Sequence, residues 1–253
     1  MATPPVALQL YTVREDAARD FAGTLEAVAA LGYTGVELAG YHGMSASDLR
    51  AKLASLGLSV AASHVPWARL EAELPQVIEE CHTLRCEYLV CPALPNELRT
   101  AAGYQAVGQS LNEMGQTLQA NDMHLCYHNH NWEFAAETAI DGANAYDWLL
   151  THTDPTVQFE LDVYWVQKAG RNPVEYLAQY GGRFPLVHLK DITKDARETF
   201  APVGTGSMNF GPIFAAAETS GVAWYIVEQD RSDGSALDDA GTSLRNLKAM
   251  GKA

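Results

Sequence analysis

Basic residues are scarce. The 253-residue chain has 17 Lys and Arg against 31 Asp and Glu, a formal net charge of −14. A surface that acidic repels phosphate backbones and argues against a nucleic-acid partner. Cysteine is sparse as well. The four present, Cys81, Cys86, Cys91 and Cys126, form no Cys-x-x-Cys pair and lie in apolar surroundings. They read as reduced, buried thiols and not as a zinc site. No run approaches the roughly 20 apolar residues that cross a bilayer. The opening Met-Ala-Thr-Pro-Pro lacks the basic and apolar regions of a signal peptide, so the expected location is the cytoplasm. With 47% apolar and 19% charged residues, the composition supports a packed core.

Short apolar runs alternate with longer amphipathic stretches. The strand candidates are Val6–Leu10, Gly35–Leu38, Ser59–Ser63, Tyr88–Cys91, His124–Tyr127, Val157–Leu161, Leu186–Leu189 and Trp224–Val227. None alternates strictly with period two, the pattern of parallel strands buried on both faces. Helical spacing fills the gaps, as in Phe21–Leu31, Ser45–Leu56, Leu70–Leu84 and Tyr104–Ala120, then Ala143–Leu150, Pro173–Tyr180, Pro212–Ser220 and Leu237–Met250. Gly32, Gly57 and Gly221 each follow a helical stretch and precede a strand, as left-handed helix caps do. Eight such alternations without a linker, in a chain near the usual 250 residues, predict one (β/α)8 TIM barrel over residues 1–253. The rival, an open doubly wound sheet, wants a glycine-rich turn after the first strand. Residues 11–16, Tyr-Thr-Val-Arg-Glu-Asp, contain no glycine.

Active sites of such barrels lie at the C-terminal strand ends. Those ends read Gln9, Glu37, His64, His128, Asp162, His188 and Glu228, and only the fourth strand lacks a group of this kind. Buried charge is costly unless paired or bound to a metal. Two carboxylates and two neutral imidazoles, Asp162, Glu228, His128 and His188, would nearly neutralise one divalent ion. Mixed nitrogen and oxygen ligands suit Mn, Co, Zn or Fe, with Mg less favoured. The competing reading is an ion-pair network that caps the barrel. His130 shares a strand face with His128, and Glu133 follows within one short loop. Either could serve as ligand or proton carrier. Trp67, Trp132, Tyr164 and Trp165 follow strand ends and suit the CH faces of a sugar.

These segments resemble the xylose isomerase-like barrel superfamily, the sugar phosphate isomerases/epimerases. The shared marks are Leu-Gln-Leu-Tyr-Thr-Val-Arg at 8–14, Tyr-His-Asn-His-Asn-Trp-Glu-Phe at 127–134 and Glu-Leu-Asp-Val-Tyr-Trp at 160–165. They continue with Val-His-Leu-Lys-Asp at 187–191, Pro-Val-Gly-Thr-Gly at 202–206 and Trp-Tyr-Ile-Val-Glu-Gln-Asp at 224–230. The resemblance implies the barrel and one divalent metal, with Asp162, His188 and Glu228 among its ligands. Epimerases of this superfamily usually carry a catalytic glutamate on the fifth strand; here that position is His128. The superfamily also includes inosose dehydratases, 3-dehydroshikimate dehydratases, lyases of 3-keto-glycosides and a DNA-repair endonuclease, the last disfavoured by the acidic balance.

The expected reaction is proton abstraction beside the carbonyl of a small sugar or polyol, through a metal-stabilised enediolate. Glu228 would act as ligand and base, with His130, Glu133 or Glu160 carrying the second proton and Lys190 meeting a substrate oxygen. Gln9, Glu37, His64, Trp67, Trp165 and Glu160 are the expected substrate contacts. Returning the proton makes the protein an isomerase or epimerase, the default expectation. Expelling a β-leaving group makes it an inosose dehydratase-like lyase, and loss of the fifth-strand glutamate tilts toward that alternative. A non-catalytic sugar-binding barrel is the reading from another class. Whether the chain forms a homo-oligomer is left open by the sequence.

Overall fold

The computed structural model describes residues 3–253, so Met1 and Ala2 of the expected domain lie outside the described residues. Eight parallel strands close into a barrel. They are β1 Val6–Gln9, β2 Gly35–Leu38, β3 Ser59–His64, β4 Tyr88–Cys91, β5 His124–His128, β6 Val157–Asp162, β7 Leu186–Leu189 and β8 Trp224–Val227. Each strand pairs with its sequence neighbours, and β1 closes the ring against β8 through Leu8↔Val227. The expected barrel and strand count therefore match. Three strands run one residue further than expected, to His64, His128 and Asp162, which places those polar groups on the strands themselves.

Side chains two residues apart along a strand share a face, and this period builds the interior in layers. One apolar cluster, separate from the main core, comprises Ala7, Ala61, Ala62, Val90, Cys126, Leu186 and Ile226. Two residues beyond Ala7, Cys126, Leu186 and Ile226 stand Gln9, His128, His188 and Glu228. The small apolar plug thus ends where the polar ring begins. The larger core lies between barrel and helices and includes Leu25, Leu49, Leu70, Leu111, Leu149, Phe214 and Leu244, all at most 3% exposed. All four cysteines are buried and free.

Helix ends follow the local sequence. Ser45, Thr100, Asn144, Asn172 and Ser235 each cap a helix by accepting a backbone N–H. Gly32 (φ 97°) and Gly221 (φ 81°) take the left-handed cap conformation that the sequence implied. Two short helices were not expected. Arg14–Arg19 follows a 3-10 turn at Leu10–Val13, and Val163–Lys168 starts directly on Asp162. Both are too short to carry a periodic apolar signal. After β7 the chain forms a two-stranded antiparallel ribbon, Asp191–Ile192 with Phe200–Ala201. The buried Asp191 carboxylate accepts from the backbone N–H groups of Ile192, Gly204, Gly206 and Met208 at 2.8–3.0 Å. A Cβ on Gly206 would meet Ile192 O at 2.2 Å, so the close approach of this loop requires glycine. No described helix is long and apolar enough to cross a membrane.

Candidate metal centre and cavity

Strands β5 to β8 bring His128, Asp162, His188 and Glu228 together, with one candidate ligand atom from each lying within 4.8 Å of the others. All four are at most 5% exposed. A second set, His64, His128, Glu160 and His188, satisfies the same criterion. The two sets share both histidines through opposite ring nitrogens. His128 Nδ1 lies 2.8 Å from Glu160 Oε2, whereas His128 Nε2 faces Asp162 Oδ2 at 3.6 Å. His188 Nε2 lies 2.6 Å from Glu37 Oε2 and 3.1 Å from Glu160 Oε2, whereas His188 Nδ1 faces Glu228 Oε2 at 2.8 Å. A neutral imidazole has one N–H and one lone pair. When one nitrogen of each ring offers its lone pair to an ion, the other donates its N–H to a carboxylate on the far side. The two sets are therefore alternatives for a single cation. The set at Asp162 and Glu228 has the more nearly neutral chemistry and borders open space. Glu37 and Glu160 then hold the two rings from behind, as carboxylates commonly do for ligating histidines.

The chain itself supplies a cation there. Lys190 is 1% exposed, and its Nζ lies 2.9 Å from Asp162 Oδ2, 2.7 Å from Glu228 Oε2 and 3.2 Å from Asp230 Oδ2. A positive charge thus fits between the carboxylates that would grip a metal. Burial alone would lower the Lys190 pKa, but the three carboxylates outweigh it and hold the ammonium well above its ordinary value. Glu228 is held well below the usual carboxylate range, because Lys190 and His188 overcome its desolvation. Asp162 is lifted by burial to about 6 despite Lys190. Its Oδ1 also accepts from Tyr164 N and Trp165 N, so the same side chain starts the Val163–Lys168 helix.

A cavity of about 540 Å³ opens beside this centre, lined on one side by His128, His130, Glu228 and Asp230. His130 stacks on Trp132 with ring centroids 3.9 Å apart, and the Arg99 guanidinium covers Trp132 at 3.8 Å. Trp165 stands 5.5 Å from the His130 ring and 5.6 Å from Lys190 Nζ. His130 Nδ1 is buried without a hydrogen-bond partner in the chain. Burial, then the Lys190 ammonium, push the His130 pKa well below its ordinary value, so the ring is neutral.

Several residues stand elsewhere than expected. Glu133 is fully buried outside the cavity lining: Tyr127 Oη donates to its Oε1 and His130 N donates to its Oε2, both at 2.8 Å. Its side chain turns back under the 3-10 turn Trp132–Phe134 and anchors it, so it neither completes the metal set nor faces a substrate. Gln9 and Glu37 are 0% exposed and bonded to one another at 2.7 Å beneath the centre, out of substrate reach. Glu160 is likewise fully buried among His64, His128 and His188. Trp67 begins a helix with its ring in the main core. His64 does line the cavity while its Nε2 bonds Glu160 at 2.7 Å. Asp230 escaped the sequence reading, although the inward period Ile226, Glu228, Asp230 continues two residues past the strand end and points to it. Tyr11, Tyr41, Pro92 and Ala93 escaped too, because apolar loop residues carry no ionisable signal.

The profile of the xylose isomerase-like TIM barrel family matches residues 25–250. The chain belongs to that family. Among solved members of the fold, a sugar phosphate isomerase/epimerase from Parabacteroides distasonis superposes with a TM-score of 0.79 at 26% identity, covering 98% of this chain and 95% of that one. The IolI protein, solved with a bound zinc atom, superposes with a TM-score of 0.75 at 15% identity over 98% of each chain, a likeness of fold. An inosose dehydratase from Geobacillus kaustophilus is 29% identical over 248 residues, 82% of this chain and 79% of its own length. A second, from Clostridium tetani, aligns over about half of each protein, at 27% identity.

Proposed function

We propose that the protein is a metal-dependent dehydratase that removes water from a keto-polyol of the inosose kind. The alternative weighed from the sequence, a lyase, is favoured over the isomerase or epimerase expected first. The observation that carries this reading is the one base lining the cavity, among the described residues, that has a buried ring nitrogen without a partner. Of the side chains expected to move a second proton, Glu133 is sealed under the β5 loop and Glu160 is held by three imidazoles. Of the three, only His130 lines the cavity, and its Nδ1 has no hydrogen-bond partner among the described residues. Exchange of protons on two faces of a carbon, as in epimerisation, calls for a second such group. Elimination needs one base and one acid on adjacent carbons. The similarity to two inosose dehydratases points the same way.

His128, Asp162, His188 and Glu228 are the residues that would hold the ion. A bound divalent cation supplies a Lewis acid that polarises the substrate carbonyl and makes the neighbouring C–H acidic. His130 Nδ1 then takes the proton from the carbon beside the carbonyl. The Trp132 stack fixes the ring for that transfer, and its neutral state leaves the lone pair free. The C–O bond one carbon further breaks, and the departing hydroxyl takes a proton from the Lys190–Asp230 pair, whose Asp230 lines the cavity. His130 has gained one proton and the pair has lost one, so the net change is loss of water. Glu37 and Glu160 touch no substrate; they set the orientation of His188 and His128.

Proton NMR of the Mn2+-loaded protein with an inosose in D2O tests the reading. An unsaturated or further enolised product with loss of water supports the dehydratase. Deuterium at the carbon beside the carbonyl with no loss of water overturns it in favour of an isomerase or epimerase. His130→Gln is expected to lower kcat about a hundredfold or more at unchanged metal content.

A further inference from the structure

We infer that Arg99 is a positioning residue that holds the His130 ring for proton transfer through the intervening indole of Trp132. This rests on the preceding reading, in which His130 carries the proton.

A base must point its lone pair within a narrow angle of the proton it takes. The His130 backbone is anchored, since its N–H donates to Glu133 Oε2 at 2.8 Å. The ring is not anchored in that way at Nδ1, which has no hydrogen-bond partner among the described residues. A free lone pair is what the chemistry needs, but it leaves the ring orientation to stacking. Trp132 supplies the stack: the two rings are within 13° of parallel, with centroids 3.9 Å apart.

Trp132 is itself held by little else. Thr138 Oγ1 donates to its backbone oxygen at 3.2 Å, while the buried indole Nε1 has no hydrogen-bond partner among the described residues. The Arg99 guanidinium carbon lies 3.8 Å from the centre of the indole. Two flat groups this close to one ring centre have no room on the same face. Imidazole and guanidinium therefore lie on opposite faces and clamp the indole between them. Arg99 is fixed at the far end of the stack. It follows the 3-10 turn Asn96–Leu98, and its Nε donates to Leu94 O at 2.9 Å. Guanidinium suits this place, because its edge can donate hydrogen bonds while its plane stacks; an ammonium has no plane.

Arg99 lies outside the cavity lining, to which the segment after β4 gives only Pro92 and Ala93. It reaches the reaction through Trp132 and touches no substrate. The one strand end without an ionisable group thus contributes to the chemistry from behind the β5 loop.

Proton NMR of the Zn2+-loaded protein and turnover of an inosose test the inference together. The His130 ring protons, identified by their loss in His130→Gln, are expected to be shifted upfield by the indole. Arg99→Ala should return them about halfway or more to the position of a free imidazole. The same variant should lower kcat about tenfold at unchanged KM and metal content. Arg99→Lys, which keeps the charge without the plane, should recover no more than about threefold. In the His130→Gln background, Arg99→Ala should lower kcat no further, because the two residues act as one unit. A loop brace alone would move none of these except by unfolding, which the metal content and KM would report. Unmoved ring protons, an unchanged kcat, full recovery by lysine or an equal loss in the His130→Gln background overturns the inference and leaves the dehydratase reading standing. Full turnover in His130→Gln itself overturns that reading and, with it, the purpose assigned to the clamp.

Discussion

The two halves of the barrel mouth are built by different rules. On the β5 to β8 side, charged groups are cross-linked: Glu160 meets three imidazoles, His188 meets three carboxylates and Lys190 meets three, with Glu228 shared between the last two. On the β1 to β4 side, Tyr11, Tyr41, Pro66 and Pro92 surround open space with few polar partners. The first half is preorganised to hold charge at fixed points, which electrostatic catalysis requires. The second can adapt to a range of shapes. On the proposed reading, the arc of fixed charge carries the chemistry and the more open arc meets the rest of the substrate.

The sharpest way to break this comparison is to remove a charge from the fixed half. Asp162→Asn is expected to lower turnover by about a thousandfold or more and to release the metal. The amide oxygen still accepts from Tyr164 N and Trp165 N, so the start of the Val163–Lys168 helix is kept, while loss of the buried Lys190 ion pair should lower the melting temperature of the metal-free protein. Metal analysis and calorimetry read the two effects separately; full turnover in the variant would remove Asp162 from the centre.

Next in size is a carboxylate that lies in the fixed half yet outside the site. Burial, against the hydrogen bonds from Tyr127 and His130, lifts the Glu133 pKa to about 7 from a starting value of 4.5. An acid whose folded pKa is raised favours folding in its protonated form. The penalty is absent below about pH 4.5, grows as pH rises and is complete above about pH 7, where it reaches on the order of 3 kcal/mol. Urea unfolding of Glu133→Gln should therefore show a gain over the parent at pH 8 that vanishes at pH 4.5. A constant difference across that range would reassign the pH dependence to another group.

A smaller effect is expected at Glu160→Gln. Replacing the carboxylate behind His128 and His188 should weaken metal binding by about 10- to 100-fold, measured by competition with a chelator, without abolishing it. If metal binding is lost completely, the lower set of ligands is the occupied one. The smallest change belongs to the adaptable half: Tyr11→Ala should alter folding stability by less than about 0.5 kcal/mol, because its ring is largely exposed.

The sequence made the barrel and the inward polar ring readable because both follow from a period of two on short apolar strands. Asp162, His188 and Glu228 sit at strand ends whose direction that period settles. Glu133 defeated the same reasoning. It lies past the strand, where the chain enters a 3-10 turn and spacing no longer reports direction. Glu37 and Glu160 were readable as inward-facing but not as screened from substrate, since depth along the barrel depends on the register between strands, such as Gln9↔Glu37 and His128↔Glu160. The adaptable wall was hardest to foresee, because tyrosine, proline and alanine in a loop look alike whether they face a ligand or the core.

The position of Lys190 has a kinetic consequence. An ammonium tethered between Asp162 and Glu228 is a resident competitor, present at an effective concentration that no dilution lowers. Any incoming ion must evict it, and the nearby Asp230 offers the displaced group a place to land. Without a bound ion, the ammonium thereby cancels the repulsion between the two carboxylates and holds them at the spacing a cation needs.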